Sequence, residues 1–236
     1  MSEKESRMQA LDFLRSTDCR AVVFDMDGVL ADTEEFHLEA WSRLVEAHGL
    51  EAGEQGLSGG MLELIRSTFG QANDTIIPLL WEKAGRSPGE ELAALSLEKE
   101  QCYRNCARGR VRPMPGIEDF LGLLKKENIP AAIGTSGPEE NVSFILEEFN
   151  WRSVFQSLVH RNRFKKGKPA PDCFLVAAEE LGQPPDKTVV FEDSVHGLMA
   201  ANRGGFTAAA IASTHEPAEL TEYTDWVFRD FRSLSC

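Results

Sequence analysis

The chain has 236 residues, 42% of them hydrophobic, with 38 acidic against 25 basic groups and a formal net charge of −13, a profile that fits one or two folded domains and excludes a disordered or fibrous chain. The acidic excess argues against nucleic acid or an anionic membrane as partner, because such phosphates are held mainly by clustered Lys and Arg. Five cysteines without disulfide-framework spacing, a charged opening segment and no apolar run near the ~20 residues of a membrane helix predict a cytoplasmic protein with no export signal.

Residues 1–18 read as an amino-terminal extension, a mobile tail passing into a short helix around Leu11, Phe13 and Leu14. Ala21-Val22-Val23-Phe24 is a continuous apolar run that predicts a strand buried on both faces, and its first polar successor is Asp25. Asp32-Thr33-Glu34-Glu35 offers a helix cap, after which Phe36, Trp41, Leu44 and Val45 follow at helical spacing up to Gly49. From there to Gly109 only helical patterns appear, through Met61, Ile65, Phe69, Ile76, Leu80, Leu95 and Tyr103. The Pro-rich link 110–116 marks a boundary. Beyond it, a helix from Ile117 to Leu124 leads to the apolar run 129–133, helix 138–149 to Leu158-Val159, and helix 172–181 to the run 188–191. Helix 195–203 then leads to the run 206–211, and Trp226-Val227-Phe228 is a last strand.

This alternation predicts an α/β fold, a Rossmann-like doubly wound parallel sheet, with an inserted all-helical cap. The predicted core domain comprises 19–32 and 113–236 and the cap 33–112. An insertion directly after a strand's carboxyl end lies over the crevice where open α/β sheets bind ligands.

Asp25 and Asp27 end the first strand, and Gly28 turns the chain so that both carboxylates reach one opening. Two acids so close repel, and a divalent cation or a shared proton stabilises them. Thr135 and Ser136 end the next apolar run, ahead of a helix start with Pro138 at its first position and Glu139 and Glu140 in its first turn. Hydroxyls and free amides at a helix amino terminus suit an anion such as phosphate. Lys168 precedes Pro169-Ala170-Pro171 at the end of a basic concentration, with Arg161, Arg163, Lys165 and Lys166, in an otherwise acidic chain. Glu192-Asp193-Ser194 closes the strand of residues 188–191. An ordinary turn, a Ser cap or a solvated basic loop accounts for any one of these motifs. Their joint occurrence at four strand ends points to the active site of an open parallel sheet.

In that order, Phe24-Asp25-Met26-Asp27-Gly28-Val29-Leu30 with Asp32-Thr33, Thr135-Ser136, Lys168-Pro169-Ala170-Pro171-Asp172 and Phe191-Glu192-Asp193-Ser194 resemble the motifs of the haloacid dehalogenase superfamily, in the branch of β-phosphoglucomutase and sugar-phosphate phosphatases. The resemblance covers nearly the whole chain beyond residue 18. It implies a Mg²⁺-dependent phosphatase that hydrolyses a small phosphate monoester, such as a sugar phosphate, through an aspartyl-phosphate. By this resemblance Asp25 is the nucleophile, and Asp27 protonates the leaving oxygen and then activates water. Mg²⁺ would be held by Asp25, the Asp27 carbonyl and Asp193, with Glu192 a further candidate. Thr135 and Lys168 would bind the transferring phosphoryl oxygens, joined in the phosphate site by Gly28 and Ser136. His37 and Asn73 are the cap's candidate substrate contacts.

The mutase is the rival within the family. It holds its substrate's second phosphate with a cap arginine and with a lysine after the hydroxyl motif, and Asn73 and Gly137 stand at those two positions here. A mutase must retain a bisphosphate through reorientation, so the missing cations favour a phosphatase; Arg66 and Arg86 are the residues that could substitute in space. Asp27 counts against dehalogenation. Lys83 and Lys99, the lysines of the cap, match no context of the Schiff-base lysine used by phosphonate-cleaving relatives. Readings of another class are a signalling phospho-acceptor module, against which the cap insertion counts, and a catalytically silent binder, against which the four intact motifs count. Cys102 and Cys106 read as packing residues, His196 as structural, and Trp41, Trp81, Trp151 and Trp226 as core or interdomain packing. Uncharged Gln71, Ala72 and Asn73 suggest a monophosphate of a sugar or polyol. The expected partner is a small-molecule phosphate ester, and the expected assembly a monomer or weak dimer.

Overall fold

A computed structural model describes residues 8–50, 52–53 and 56–235. Six parallel strands, β1 (Ala21–Phe24), β2 (Ala131–Gly134), β3 (Ser157–Val159), β4 (Thr188–Glu192), β5 (Thr207–Ile211) and β6 (Val227–Phe228), form one sheet in the order β6-β5-β4-β1-β2-β3. Phe24 pairs with Ile133 on one side and with Phe191 on the other. Every residue of β1, β2 and β4 is buried, which is why β1, β2 and the middle of β4, Val189 to Phe191, read as unbroken apolar runs.

Alternate residues of a strand serve opposite faces. Val22 and Phe24 join one core cluster, while Val23 joins the other. On the first face Phe24 stacks on Phe191 at 5.5 Å, and Phe120 of α6 (Ile117–Lys126) meets both rings edge-on. On the second, α8 (Asp172–Glu180) and α9 (Val195–Gly204) bury Phe174, Ala177, Leu198 and Ala201. The helix α7 (Glu139–Glu148) follows β2; Pro138 is its cap residue, one position earlier than the expected first helical position, a shift within the fraying of helix ends.

The segment expected as an extension contributes to this core. Its helix α1 (Ala10–Ser16) buries Ala10, Phe13 and Leu14, and Phe13 meets Trp226 at 5.0 Å and Phe228 at 5.4 Å. A two-residue parallel ladder ties Met8–Gln9 to Leu234–Ser235. The expected mobile tail, up to residue 7, lies outside the described residues.

Between β1 and α6 the chain departs and returns through an antiparallel ladder of Ala31–Asp32 with Arg112–Pro113, so both linkers of the excursion lie side by side. The excursion holds α2 (Glu34–Ala47), α3 (Gly59–Ser67), α4 (Asn73–Lys83) and α5 (Leu92–Ala107). α2 buries Phe36, Ala40, Trp41, Leu44 and Val45, an apolar stripe of helical period. Trp41, Leu44, Ile65, Ile77, Leu80 and Trp81 form a cluster separate from the two on the sheet. The stretch is not helical throughout as expected: Ala52–Gly53 pairs antiparallel with Gly56–Leu57, a ladder too short to leave a period of two in the sequence. Among the described residues no helix is long and apolar enough to cross a membrane.

Candidate active site

The Asp25 N–H donates to the Phe191 carbonyl at 2.9 Å, which sets Asp25 at the carboxyl edge of the sheet where strand order reverses on either side of β1. Lys168 arrives from the loop ahead of α8, and its Nζ donates to Asp25 Oδ1 at 2.6 Å and to Glu192 Oε1 at 2.5 Å. All three groups are buried. Glu192 Oε2 accepts from the Asp193 and Ser194 N–H groups and the Ser194 hydroxyl, each at 2.9 Å. Ser194 Oγ in turn caps α9 by accepting from the Gly197 N–H at 3.0 Å. Both oxygens of Glu192 are therefore committed, one to Lys168 and one to the turn entering α9.

Asp193 Oδ2 accepts from Thr214 Oγ1 at 2.7 Å. One carboxylate oxygen each from Asp25, Glu192 and Asp193 lie within 4.8 Å of one another. Burial, with repulsion from Glu192 and Asp27 and against the pull of Lys168, pushes the Asp25 carboxyl up to about 7. Burial and then Glu192 and Asp25 raise Asp193 well above the usual carboxylate range. Burial alone would lower the Lys168 ammonium, yet Asp25 and Glu192 hold it above its ordinary value. Three carboxylates against one ammonium leave the cluster short of positive charge, and an all-oxygen donor set suits a hard divalent cation such as Mg²⁺.

Two glycines make this crowding feasible. Gly28 has φ +72°, and a Cβ there would lie 2.2 Å from Asp193 Oδ2. A Cβ on Gly197 would lie 1.8 Å from Glu192 Oε1. Gly197→Ala should therefore displace the carboxylate that seats Lys168, with a loss of about 1–3 kcal/mol by urea unfolding. An unchanged midpoint would show that α9 yields instead.

Asp27 faces the cap. Its Oδ1 accepts from Thr33 Oγ1 at 2.8 Å and from His37 Nε2 at 3.0 Å, with Tyr103 OH at 3.5 Å. Thr33, and not Asp32 with its carboxylate Glu35 three residues on, occupies the cap position of α2; its side chain makes no capping bond and its hydroxyl donates to Asp27. Lys99 Nζ donates to His37 Nδ1 at 2.8 Å, which assigns the His37 ring proton to Nε2. The His37 ring stacks on Tyr103 at 3.9 Å. Burial would raise the Asp27 carboxyl, but His37, Thr33 and Lys99 outweigh it and hold Asp27 below its usual value.

Thr135 is buried, and its Oγ1 accepts from the Gly137 N–H at 3.0 Å, leaving the hydroxyl proton free to donate. Ser136 Oγ donates to the Gly70 carbonyl at 2.7 Å, which places Ser136 at the contact between sheet and cap. His196 lies at the same contact: Nδ1 donates to the Phe69 carbonyl at 3.2 Å, and Nε2 accepts from Gln71 Nε2 at 2.8 Å. Asn73 Nδ2 donates to Ser96 Oγ at 3.0 Å and to Glu100 Oε1 at 2.7 Å. Arg66 and Arg86 are exposed, Arg66 facing Glu34 and Arg86 donating to the His48 carbonyl, so neither stands at Asn73. Cys102 and Cys106 lie 4.0 Å apart, sulfur to sulfur, along α5.

The expected residues Asp25, Asp27, Gly28, His37, Asn73, Thr135, Ser136 and Asp193 line one cavity of about 100 Å³ between sheet and cap, with Lys168 and Glu192 beneath its floor. Sequence reasoning missed Lys99, Glu100, Tyr103, Asn141 and Thr214. One signal was available: Lys99 lies four residues after Leu95 and four before Tyr103, a charge on the buried stripe of α5.

A family model described as haloacid dehalogenase-like hydrolase matches residues 19–205. A phosphorylated carbohydrates phosphatase of Thermotoga maritima is 31% identical over 185 residues, covering 78% of this chain and 81% of that protein. The fructose-1-phosphate phosphatase YqaB of Escherichia coli is 31% identical over 190 residues, covering 80% and 95%. The crystal structure of CbbY from Rhodobacter sphaeroides in complex with phosphate superposes with a TM-score of 0.77 at 26% identity, over 90% of this chain and 95% of that one.

Proposed function

Because the chain belongs to the haloacid dehalogenase-like hydrolases, we propose that it is a Mg²⁺-dependent phosphatase, hydrolysing a small phosphate monoester through an aspartyl-phosphate on Asp25. The observation that carries this reading is the buried floor, where Lys168 bridges Asp25 and Glu192 and Asp193 stands within reach. Asp25, Asp193 and the Asp27 carbonyl would hold the Mg²⁺. Glu192, with both oxygens committed, is assigned to seating Lys168. Bound there, Mg²⁺ supplies positive charge for the phosphate and relieves the repulsion between it and Asp25.

An Asp25 carboxylate oxygen attacks phosphorus, the ester P–O bond breaks, and the leaving oxygen takes a proton from Asp27. Water then attacks phosphorus, the bond to Asp25 breaks, and Asp27 accepts the water's proton, so alcohol and phosphate leave and both acids are restored. Asp27 as arranged is held ionised by His37, Thr33 and Lys99, the form the second step needs. A bound phosphate dianion is a like charge that raises Asp27 toward the protonated form required by the first. Thr135, whose hydroxyl proton is left free by the Gly137 N–H bond to its oxygen, and Lys168 donate to the transferring oxygens, where charge stabilisation governs phosphoryl transfer.

Phosphate release from p-nitrophenyl phosphate and a panel of sugar monophosphates, dependent on Mg²⁺ and abolished by chelator, is the expected result. Isomerisation of β-glucose 1-phosphate in the presence of glucose 1,6-bisphosphate, without net release, would replace this reading with a mutase.

A further inference from the structure

Apart from the reacting floor, α5 carries two thiols on one stripe. Cys102 and Cys106 are one helical turn apart, with their Sγ atoms at 4.0 Å. Cys106 is buried and Cys102 half-buried. The Glu39 carboxylate of α2 faces the Cys106 thiol. Arg43 Nη2 donates to Glu39 Oε1 at 2.7 Å, and Arg110 Nη1 donates to Glu39 Oε2 at 3.4 Å and to the Cys106 carbonyl at 3.2 Å. Burial, with Cys102 and Glu39 adding to it, pushes the Cys106 thiol up to about 11, so without a ligand it keeps its proton at neutral pH.

A disulfide does not fit this pair. Helix neighbours at i and i+4 hold their Cβ atoms about 5–6 Å apart, whereas a disulfide needs about 3.5–4.5 Å, so oxidation would have to unwind the turn. A bridging ion fits without any such movement. With metal–sulfur bonds of about 2.3 Å, two thiolates at about 120° across an ion lie about 4.0 Å apart, and in a straight line about 4.6 Å. The observed spacing is the first of these. Among the described residues no third His, Cys, Asp or Glu lies close enough to make a three-donor set with the pair, so an ion that requires four protein ligands, as structural Zn²⁺ does, is poorly served. Thiolates select Cu(I) among the ions content with fewer ligands. Charge agrees: one Cu(I) on two thiolates carries a single negative charge, which with Glu39 balances Arg43 and Arg110, whereas a divalent ion would leave an excess of positive charge.

We infer that Cys102 and Cys106 form a dithiolate site for one thiophilic monovalent cation, Cu(I), separate from the oxygen donors of Asp25 and Asp193. Binding forms two Cu–S bonds and releases the two thiol protons to water, with no change of oxidation state. The bridge spans residues 102–106 of α5, and Tyr103, which stacks on His37, lies within it.

The test is a competition titration of the reduced full-length protein, without oxygen and with Mg²⁺ present, in which Cu(I) is supplied as its coloured bicinchoninate complex. One Cu(I) per chain should pass to the protein, and an equal concentration of Zn²⁺ should not displace it. Cys102→Ser and Cys106→Ser should each weaken the affinity at least about tenfold, since losing even an outer partner of a metal ligand costs about 10–100-fold. A variant that keeps only this pair, with Cys19→Ser, Cys173→Ala and Cys236→Ser, should still take up the ion. Thermal melting checks the fold of each variant; if Cys106→Ser does not fold, Cys102→Ser, at the half-buried position, decides. Bound Cu(I) should also shield Cys102 from iodoacetamide in the wild type. No transfer from the chelator overturns the inference, as does an affinity unmoved by Cys102→Ser or one lost in a natively melting variant that keeps the pair.

Discussion

Asparagine at Asp25 should lower Mg²⁺-dependent phosphate release at least about 10⁴-fold, the scale of losing a nucleophile that acts as part of a unit, while leaving the fold intact. The amide is isosteric, its oxygen still accepts from Lys168, and the backbone bond to Phe191 is unaffected. Stability should move the opposite way. The wild-type carboxyl titrates near 7 because burial opposes its charge, above the ordinary 3.8 of the unfolded chain, so the folded state binds the extra proton between those values. Its ionisation therefore costs stability as pH rises from about 4 to about 7. Asparagine carries no such cost. Without divalent cation, the unfolding midpoint of Asp25→Asn should gain on that of wild type across this window and level off above it. Retained turnover would overturn the nucleophile assignment, and a midpoint that falls behind with rising pH would overturn the electrostatic account.

Lys168→Ala should be the most destabilising single change at the site. It removes the one ammonium that, among the described residues, pairs with Asp25 and Glu192, which are 4% and 0% exposed, and leaves their carboxylates buried beside Asp193. Breaking a buried ion pair by deleting one partner costs about 3–5 kcal/mol, which for a chain of this size lowers the melting temperature by roughly 6–20 °C. The loss should be largest in chelator and smaller in millimolar Mg²⁺, because a cation bound to Asp25 and Asp193 offsets part of the missing charge. Phosphate release should fall as well, since the transferring oxygens lose a donor. Melting within 2 °C of wild type in chelator would mean that Asp25 and Glu192 reach water or protonate at little cost, against the burial seen here.

Fold class and family were legible because both depend on local signals. Strands buried on two faces are apolar through their middles, so Ala21–Phe24, Ala131–Gly134 and the run Val189, Val190 and Phe191 announce a parallel sheet. Acids, a hydroxyl and a lysine appear where these runs stop or a loop returns, because a chain leaving such a sheet emerges at its carboxyl edge. The helix of residues 10–16 was harder to read: Phe13 and Leu14 in a polar context do not reveal that Trp226 and Phe228, more than 200 positions away, complete their packing.

Sequence alone determined the sheet, the excursion that covers it and the order of motifs at its edge, since each follows from periodicity or from neighbours within a few residues. The tertiary structure decided which charges meet. Thr33 at the start of α2 donates to Asp27 at the end of β1, and Glu192 divides its oxygens between Lys168 and the start of α9. Lys99 and Glu100, adjacent on α5, join His37 from α2 and Asn141 from α7. These choices belong to contacts between elements far apart in the chain. A buried charge is stabilised only by the partner that folding brings to it, and no local pattern in the sequence names that partner.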